Sequence, residues 1–222
     1  MTSDFSIGST NWGYKTENSK DIGDYKSSTS GMKNLLTTWL NVTDDSGVRT
    51  NITESAEKWL KTEEWCLGNT TSTYAYSSPY ALLGTTATEN YTSGIGFYYE
   101  TGRNLYGNGV TRNATLKCNG ETDSSKIGAL TADEVAFAGG KAESANFNYY
   151  LYKGHYWWTL SRSHFYGTRD HAFYVSNYGA LFGYDSVDFS DFRVRPAVSL
   201  NTGAKIISGE GTKGNPYIIN EG

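Results

Sequence analysis

Tyr156-Trp157-Trp158-Thr159-Leu160-Ser161 opens a part of the chain where apolar residues come in short aromatic and β-branched runs, not at helical spacing. Phe173-Tyr174-Val175 and Val194-Arg195-Pro196-Ala197-Val198-Ser199-Leu200 continue the pattern, punctuated by Gly154, Gly167, Gly179, Gly183 and Gly203. These runs predict short strands joined by turns. Asn177-Tyr178-Gly179 predicts a hairpin tip, with Gly179 supplying a positive φ. Pro196 donates no backbone hydrogen bond, which puts the late strand 194–200 at a sheet edge or makes Pro196 a strand end. Trp157, Trp158, Val175, Val194, Val198 and Leu200 are expected in the core, where large strand residues usually pack.

Helical period occurs in three other places. Gly31-Met32-Lys33-Asn34-Leu35-Leu36-Thr37-Thr38-Trp39-Leu40 puts Met32, Leu35, Leu36, Trp39 and Leu40 on one face, with Ser30 as N-cap. Asn51-Ile52-Thr53-Glu54-Ser55-Ala56-Glu57-Lys58-Trp59-Leu60 predicts a second helix with Ile52, Ala56, Trp59 and Leu60 inward. Thr131-Ala132-Asp133-Glu134 is a capping box ahead of Val135, Ala136 and Phe137, and Gly139-Gly140 stops that helix. No linker or repeat interrupts the chain. The expectation is one α+β domain over residues 1–222, with two to three short helices, small antiparallel sheets and much irregular loop.

At 222 residues the chain is long enough to bury roughly 70–75% of its unfolded surface. Only 19% of residues are charged, the net charge is −4, and 9 Phe, 6 Trp and 18 Tyr supply the rigid bulk that disordered chains lack. A pI near 5.4 with lysines scattered singly argues against nucleic acid as a partner. No apolar run reaches the roughly 18 residues of a membrane span. Met1-Thr2-Ser3 reads as a start downstream of an export or anchor segment, so membrane association is expected only through an anchor outside this chain. Cys66 and Cys118 permit one disulfide or a pair of buried thiols. A background of Tyr, Asn, Ser, Thr and Gly, the surface chemistry of secreted proteins, favours the disulfide. Asn-x-Ser/Thr matches at Asn41, Asn51, Asn69, Asn90 and Asn113 follow from the abundance of Asn and Thr and carry little weight.

Residues 155–200 concentrate the chemistry. They hold 12 of the 33 aromatics, all three histidines, four Arg and four Asp, but no Lys and no Glu. Rings and Arg bury area and make directed hydrogen bonds at low entropic cost, which is what binding surfaces favour. The window 162–193 also lacks Lys, Glu, Gln, Met and Trp, types that number 32 among the other 190 residues, where roughly five would be expected by chance. Codons for all five need a purine in the third base, so a segment written largely in pyrimidine-ending codons would exclude them. Phe165, Tyr166, Tyr178, Phe182, Tyr184, Phe189 and Phe192 alternate with Gly, Ser, Asp and His and are expected to be exposed. Arg162, Arg169, Asp170, Asp185, Asp188 and Asp191 are expected to set charge complementarity, and His164, His171 and Phe173 complete the candidate ligand-binding set. Replacing Tyr166, Phe182 and Tyr184 together by Ser is expected to abolish binding at little cost in stability.

Gly128-Ala129-Leu130-Thr131-Ala132-Asp133-Glu134-Val135-Ala136-Phe137-Ala138-Gly139-Gly140, Tyr156-Trp157-Trp158-Thr159-Leu160-Ser161, residues 194–200 and Gly209-Glu210-Gly211-Thr212-Lys213-Gly214-Asn215-Pro216-Tyr217-Ile218-Ile219 resemble a family of bacterial surface and pilin-associated proteins. That family has a C-type-lectin-like fold related to formylglycine-generating-enzyme-like domains. The resemblance takes in Trp65-Cys66 and Thr115-Leu116-Lys117-Cys118 and spans about residues 30–220. The same fold carries the variable proteins of diversity-generating retroelements, whose C-terminal segment is rewritten at Asn-type codons. By resemblance, Tyr156-Trp157-Trp158 and Val194-Arg195-Pro196 are framework, the residues between them form the ligand-binding face, and Arg162 stands where relatives often have Pro.

The Glu-Pro-Asn, Gln-Pro-Asp and Trp-Asn-Asp motifs of calcium-dependent lectins do not occur, and both cysteines lie well upstream of the late strands where the oxidising relatives keep theirs. Neither a calcium site nor that oxidation is expected. Ser161, Ser163, His164, Asp170 and His171 offer residue types for a hydrolytic triad or a metal site. However, His164 and His171 are seven apart, with no His-x-x-x-His and no Gly-x-Ser-x-Gly. The expected protein is a non-enzymatic, cofactor-free recognition domain outside a bacterial cell, on a pilus or on a phage-like particle, with a protein or glycan ligand. The alternative is a structural pilus or surface-layer subunit.

Overall fold

In a computed structural model of the chain we describe residues 6–13, 25–26, 30–47, 51–52, 54–67, 116, 118, 122–142, 144–166, 169–210, 214–215 and 217–221. The side chains of 54–55, 142, 162–166, 169–170, 184 and 220–221 lie outside that description. In chain order the elements are β1 (Gly8–Ser9), α1 (Gly31–Asn41), α2 (Glu54–Glu57), β2 (Leu60–Lys61), β3 (Glu63–Cys66), β4 (Thr122–Ser125), α3 (Ala132–Phe137) and β5 (Lys141–Ala142). They continue with β6 (Trp157–Tyr166), β7 (Arg169–Val175), β8 (Ala180–Ser186), β9 (Arg193–Val194), β10 (Ser199–Leu200), β11 (Ala204–Ser208) and β12 (Ile218–Glu221). Among the described residues the fold is mixed α+β and mostly β, with two helices longer than one turn and many strands in small sheets.

The largest sheet runs β1-β9-β6-β7-β8-β5, antiparallel except for the β6–β9 and β8–β5 pairs. Period-2 alternation sends successive side chains to opposite faces, and both faces are covered. On one face Trp158, Leu160, Ala172, Tyr174, Ala180 and Phe182 pack with Trp12, Met32, Leu36, Leu40 and Phe192. On the other, Trp157, Phe173, Val175 and Leu181 pack with Ala132, Val135 and Leu151. Trp12 joins the first core from outside every predicted element. It is fully buried, and its indole Nε1 donates to the Thr159 carbonyl at 2.8 Å.

Local chemistry explains the two longer helices. The Ser30 hydroxyl accepts from the Lys33 amide at the start of α1, while Met32, Leu36 and Leu40 are buried and Leu35 and Trp39 pack against the core edge. At α3 the capping box closes both ways, Thr131 Oγ1 accepting from Glu134 N at 3.1 Å and Glu134 Oε2 from Thr131 N at 2.7 Å. Gly139, at φ 98°, follows the last turn, but Phe137 points outward.

The predicted second helix is corrected to the single turn α2. Asn51 Nδ2 donates instead to the Trp39 carbonyl near the end of α1. Asn201 takes the next two carbonyls, its Nδ2 bonding Lys58 O at 2.7 Å and its backbone N bonding Trp59 O at 2.8 Å, so Leu60 leaves the helix to pair with Leu200. The late strand 194–200 is likewise broken into β9, an Ala197 bridge to Gly128 and β10. Pro196 follows the end of β9, which lies inside the sheet between β1 and β6 and not at its edge. Gly128 sits so close to Trp65 that a Cβ there would lie 2.2 Å from the indole.

The hairpin between β7 and β8 turns at 176–179 as expected, with Gly179 at φ 82° and its amide donating to Ser176 O at 3.0 Å. Gly183, expected in a turn, lies within β8. Cys66 and Cys118 form a disulfide with Cα atoms 5.7 Å apart. No helix among the described residues is long and apolar enough to cross a membrane.

Candidate ligand-binding face

Strands β6, β7 and β8 are neighbours, so residues 162–166, 169–175 and 180–186 lie on adjoining strands of one sheet. The register sets Trp158 opposite Tyr174, Tyr174 opposite Phe182 and Ala172 opposite Asp185. These pairings build a run of rings. Tyr178 meets Phe182 edge-on at 5.9 Å, Phe182 stacks on Tyr174 at 5.5 Å, Tyr174 lies 4.8 Å from Phe192, and Phe192 lies 5.6 Å from Phe189 and 5.1 Å from Tyr156. The ends of the run reach solvent: Tyr178, Tyr156 and Phe189 are 36%, 37% and 44% exposed. Between them Phe182 and Phe192 are only 7% and 6% exposed.

The expectation that these rings are all exposed is therefore corrected at Phe182 and Phe192, and His171 and Phe173 are also buried. The sheet is covered on both faces, so Tyr174 and Phe182 fall into one core and Phe173 into the other, and Phe192, just before β9, joins the first. Tyr178 stays at the surface in the turn between β7 and β8, and Phe189 does so just after the turn at 187–188. Arg162, His164, Phe165, Tyr166, Arg169, Asp170 and Tyr184 are placed on these strands by their backbones, and their side chains lie outside the described residues.

Three of the acidic candidates, Asp185, Asp188 and Asp191, follow one another along the chain from the end of β8 into the loop before β9. Asp188 and Asp191 are exposed on either side of Phe189, and the Ser186 hydroxyl donates to Asp188. Asp185 is half-buried, and burial raises its carboxyl pKa, partly offset by a hydrogen bond with Tyr174. Tyr156, read from sequence as framework, is a surface member of the run. Phe147, Tyr150 and Tyr152 lie outside the set of rings that the sequence predicts for this face. Asn146 N donates to Tyr178 O at 2.9 Å, bringing the 146–152 loop against the hairpin tip, where Phe147 and Tyr152 pack edge-on at 5.4 Å. Phe147 and Tyr150 are well exposed. The density of rings in 147–156 was the available signal.

The catalytic alternative loses one member to the core. Ser161 is buried and its hydroxyl accepts from Ala132 N at 3.0 Å. Among the described residues no three His, Cys, Asp or Glu side chains converge in a metal-binding group. Arg195 is framework: its guanidinium lies 4.8 Å over the Trp157 ring and donates to Leu151 O. A cleft of about 310 Å³ beside the disulfide is lined by Glu63, Glu64, Trp65 and Glu134 among others. Three of its four carboxylates serve local structure, Glu63 pairing Lys61, Glu64 accepting from Thr122 and Glu134 closing the capping box.

No family model, curated protein or solved structure matches the chain.

Proposed function

We propose that this chain is a non-enzymatic recognition domain of C-type-lectin-like fold, displayed outside a bacterial cell or on a phage-like particle, and that it binds a protein or glycan ligand. The observation that carries this reading is the run of rings with solvent-exposed ends at Tyr156, Tyr178 and Phe189, backed by nearly buried Phe182, Tyr174 and Phe192. Rings fixed from behind present contact area with little entropy left to lose. The disulfide is compatible with an extracellular setting. The absence of Lys, Glu, Gln, Met and Trp from 162–193 supports a diversified segment of the retroelement type. A template copy of these codons beside a reverse transcriptase is the genomic expectation.

The test is capture of glycans and bacterial surface proteins on arrays by the chain and by a Tyr178→Ser/Phe189→Ser variant. Loss of capture at an unchanged melting temperature supports recognition through this face. Capture that survives both substitutions refutes it. The second reading, a subunit of a surface assembly, is favoured by one observation: the β11–β12 hairpin exposes Ile206, Ile207 and Ile218. A stable homopolymer in solution would favour that reading.

A further inference from the structure

We infer that the partner of the ring face presents cationic side chains, lysine or arginine on a protein segment, to the end formed by Phe189, Tyr156, Asp188 and Asp191. This rests on the ring run being a recognition surface and names its ligand chemistry. Phe189, 44% exposed, and Tyr156, 37% exposed, both pack on Phe192, and the exposed Asp188 and Asp191 flank Phe189 in sequence, so accessible rings and negative charge share this short stretch. The π-face of a ring attracts a cation, and a carboxylate beside it adds Coulomb attraction that neither a neutral sugar nor an acidic one can use. Among the described residues Asp191 enters no ion pair, while Asp188 accepts from the Ser186 hydroxyl. Arg195 is held in the opposite core over Trp157 and does not serve this end.

The experiment measures binding of the full chain to immobilised peptides rich in lysine or arginine, in glutamate, or in serine, and to neutral and sialylated oligosaccharides, at low and at physiological salt. Its variants are Asp188→Asn/Asp191→Asn, Tyr178→Ser/Phe189→Ser and, as a remote control, Asp45→Asn. The expected result is retention of the cationic peptides, weakened by salt, lowered about tenfold by the paired aspartate change and unmoved by Asp45→Asn. Binding of oligosaccharides or serine peptides that is lost in the ring variant but kept in the aspartate variant overturns the inference and leaves the ring face standing. Cationic binding that falls equally with Asp45→Asn shows only attraction to an acidic chain and overturns it too. Retention of no cationic peptide also overturns it, and the array experiment above then judges the ring face by itself.

Discussion

Tyr156 stacks on Phe192, with ring centroids 5.1 Å apart and planes 17° from parallel, although one ring is partly in solvent and the other almost wholly buried. The pair joins the surface to the core. Phe192 also touches Trp158 at 4.5 Å and Tyr174 at 4.8 Å, so it supports the exposed ring and fills the interior at once.

Phe192→Ala should therefore cost about 3–5 kcal/mol of stability, the range for emptying a core aromatic site. Tyr178→Ser and Phe189→Ser, outside the strands and partly exposed, should each cost about 1 kcal/mol or less. Urea denaturation of the three variants separates the cases. Equal losses at all three would show that the exposed ends belong to the core. The triple change at Tyr166, Phe182 and Tyr184 is unsuitable as a binding test, since buried Phe182 would destabilise the fold.

Trp158→Ala should be at least as damaging as Phe192→Ala. Its ring is fully buried and its Nε1 donates to Thr10 O at 2.9 Å, so the change empties a cavity and releases the N-terminal segment beside β1. Hydrogen exchange should show loss of protection at the Ile7 and Thr10 amides, which bond to Val194 and Phe192. Retained protection there would contradict this coupling.

Thr131→Ala removes the hydroxyl that accepts from the Glu134 amide and should lower stability by about 1 kcal/mol, whereas Thr131→Ser should restore most of it. Thermal melts of both variants check the capping box as the origin of the effect.

Joining Cys66 to Cys118 closes a separation of 52 residues, so the Cys66→Ser/Cys118→Ser variant should lose about 2–4 kcal/mol. Reductant should shift the melting temperature of the parent chain and leave that of the variant unmoved. A parent melt insensitive to reductant would contradict the linkage.

Burial raises the folded-state pKa of Asp185 above its ordinary value of 3.8. Between the unfolded and the folded pKa the native state binds the extra proton, so this group's contribution to stability falls as pH rises through that window. Asp185→Asn, which keeps an acceptor for Tyr174, should be more stable than the parent at neutral pH and lose the advantage on acidification. Denaturation midpoints measured across the acid range test this, and an advantage that grew towards low pH would reverse the assignment.

Features settled by neighbours three or four residues away were legible in the sequence. Ser30 and Thr131 start helices because a hydroxyl reaches an amide one turn on, and Gly179 turns the β7–β8 hairpin because it can adopt a positive φ. The disulfide was legible as one of two options for the chain's two cysteines, and the structure chose between them. The end of α2 was not legible, because Asn201, 143 residues from Lys58, takes its carbonyl. Nor was the burial of Phe182 and Phe192. Alternation along a strand says that two faces differ, but only the packing of Trp12 and α1 over one face and α3 over the other decides that both are covered. Among the described rings of the candidate site, Tyr156, Tyr178 and Phe189 lie outside the strands and outside those two cores, a selection made by tertiary contacts and invisible in the order of the residues.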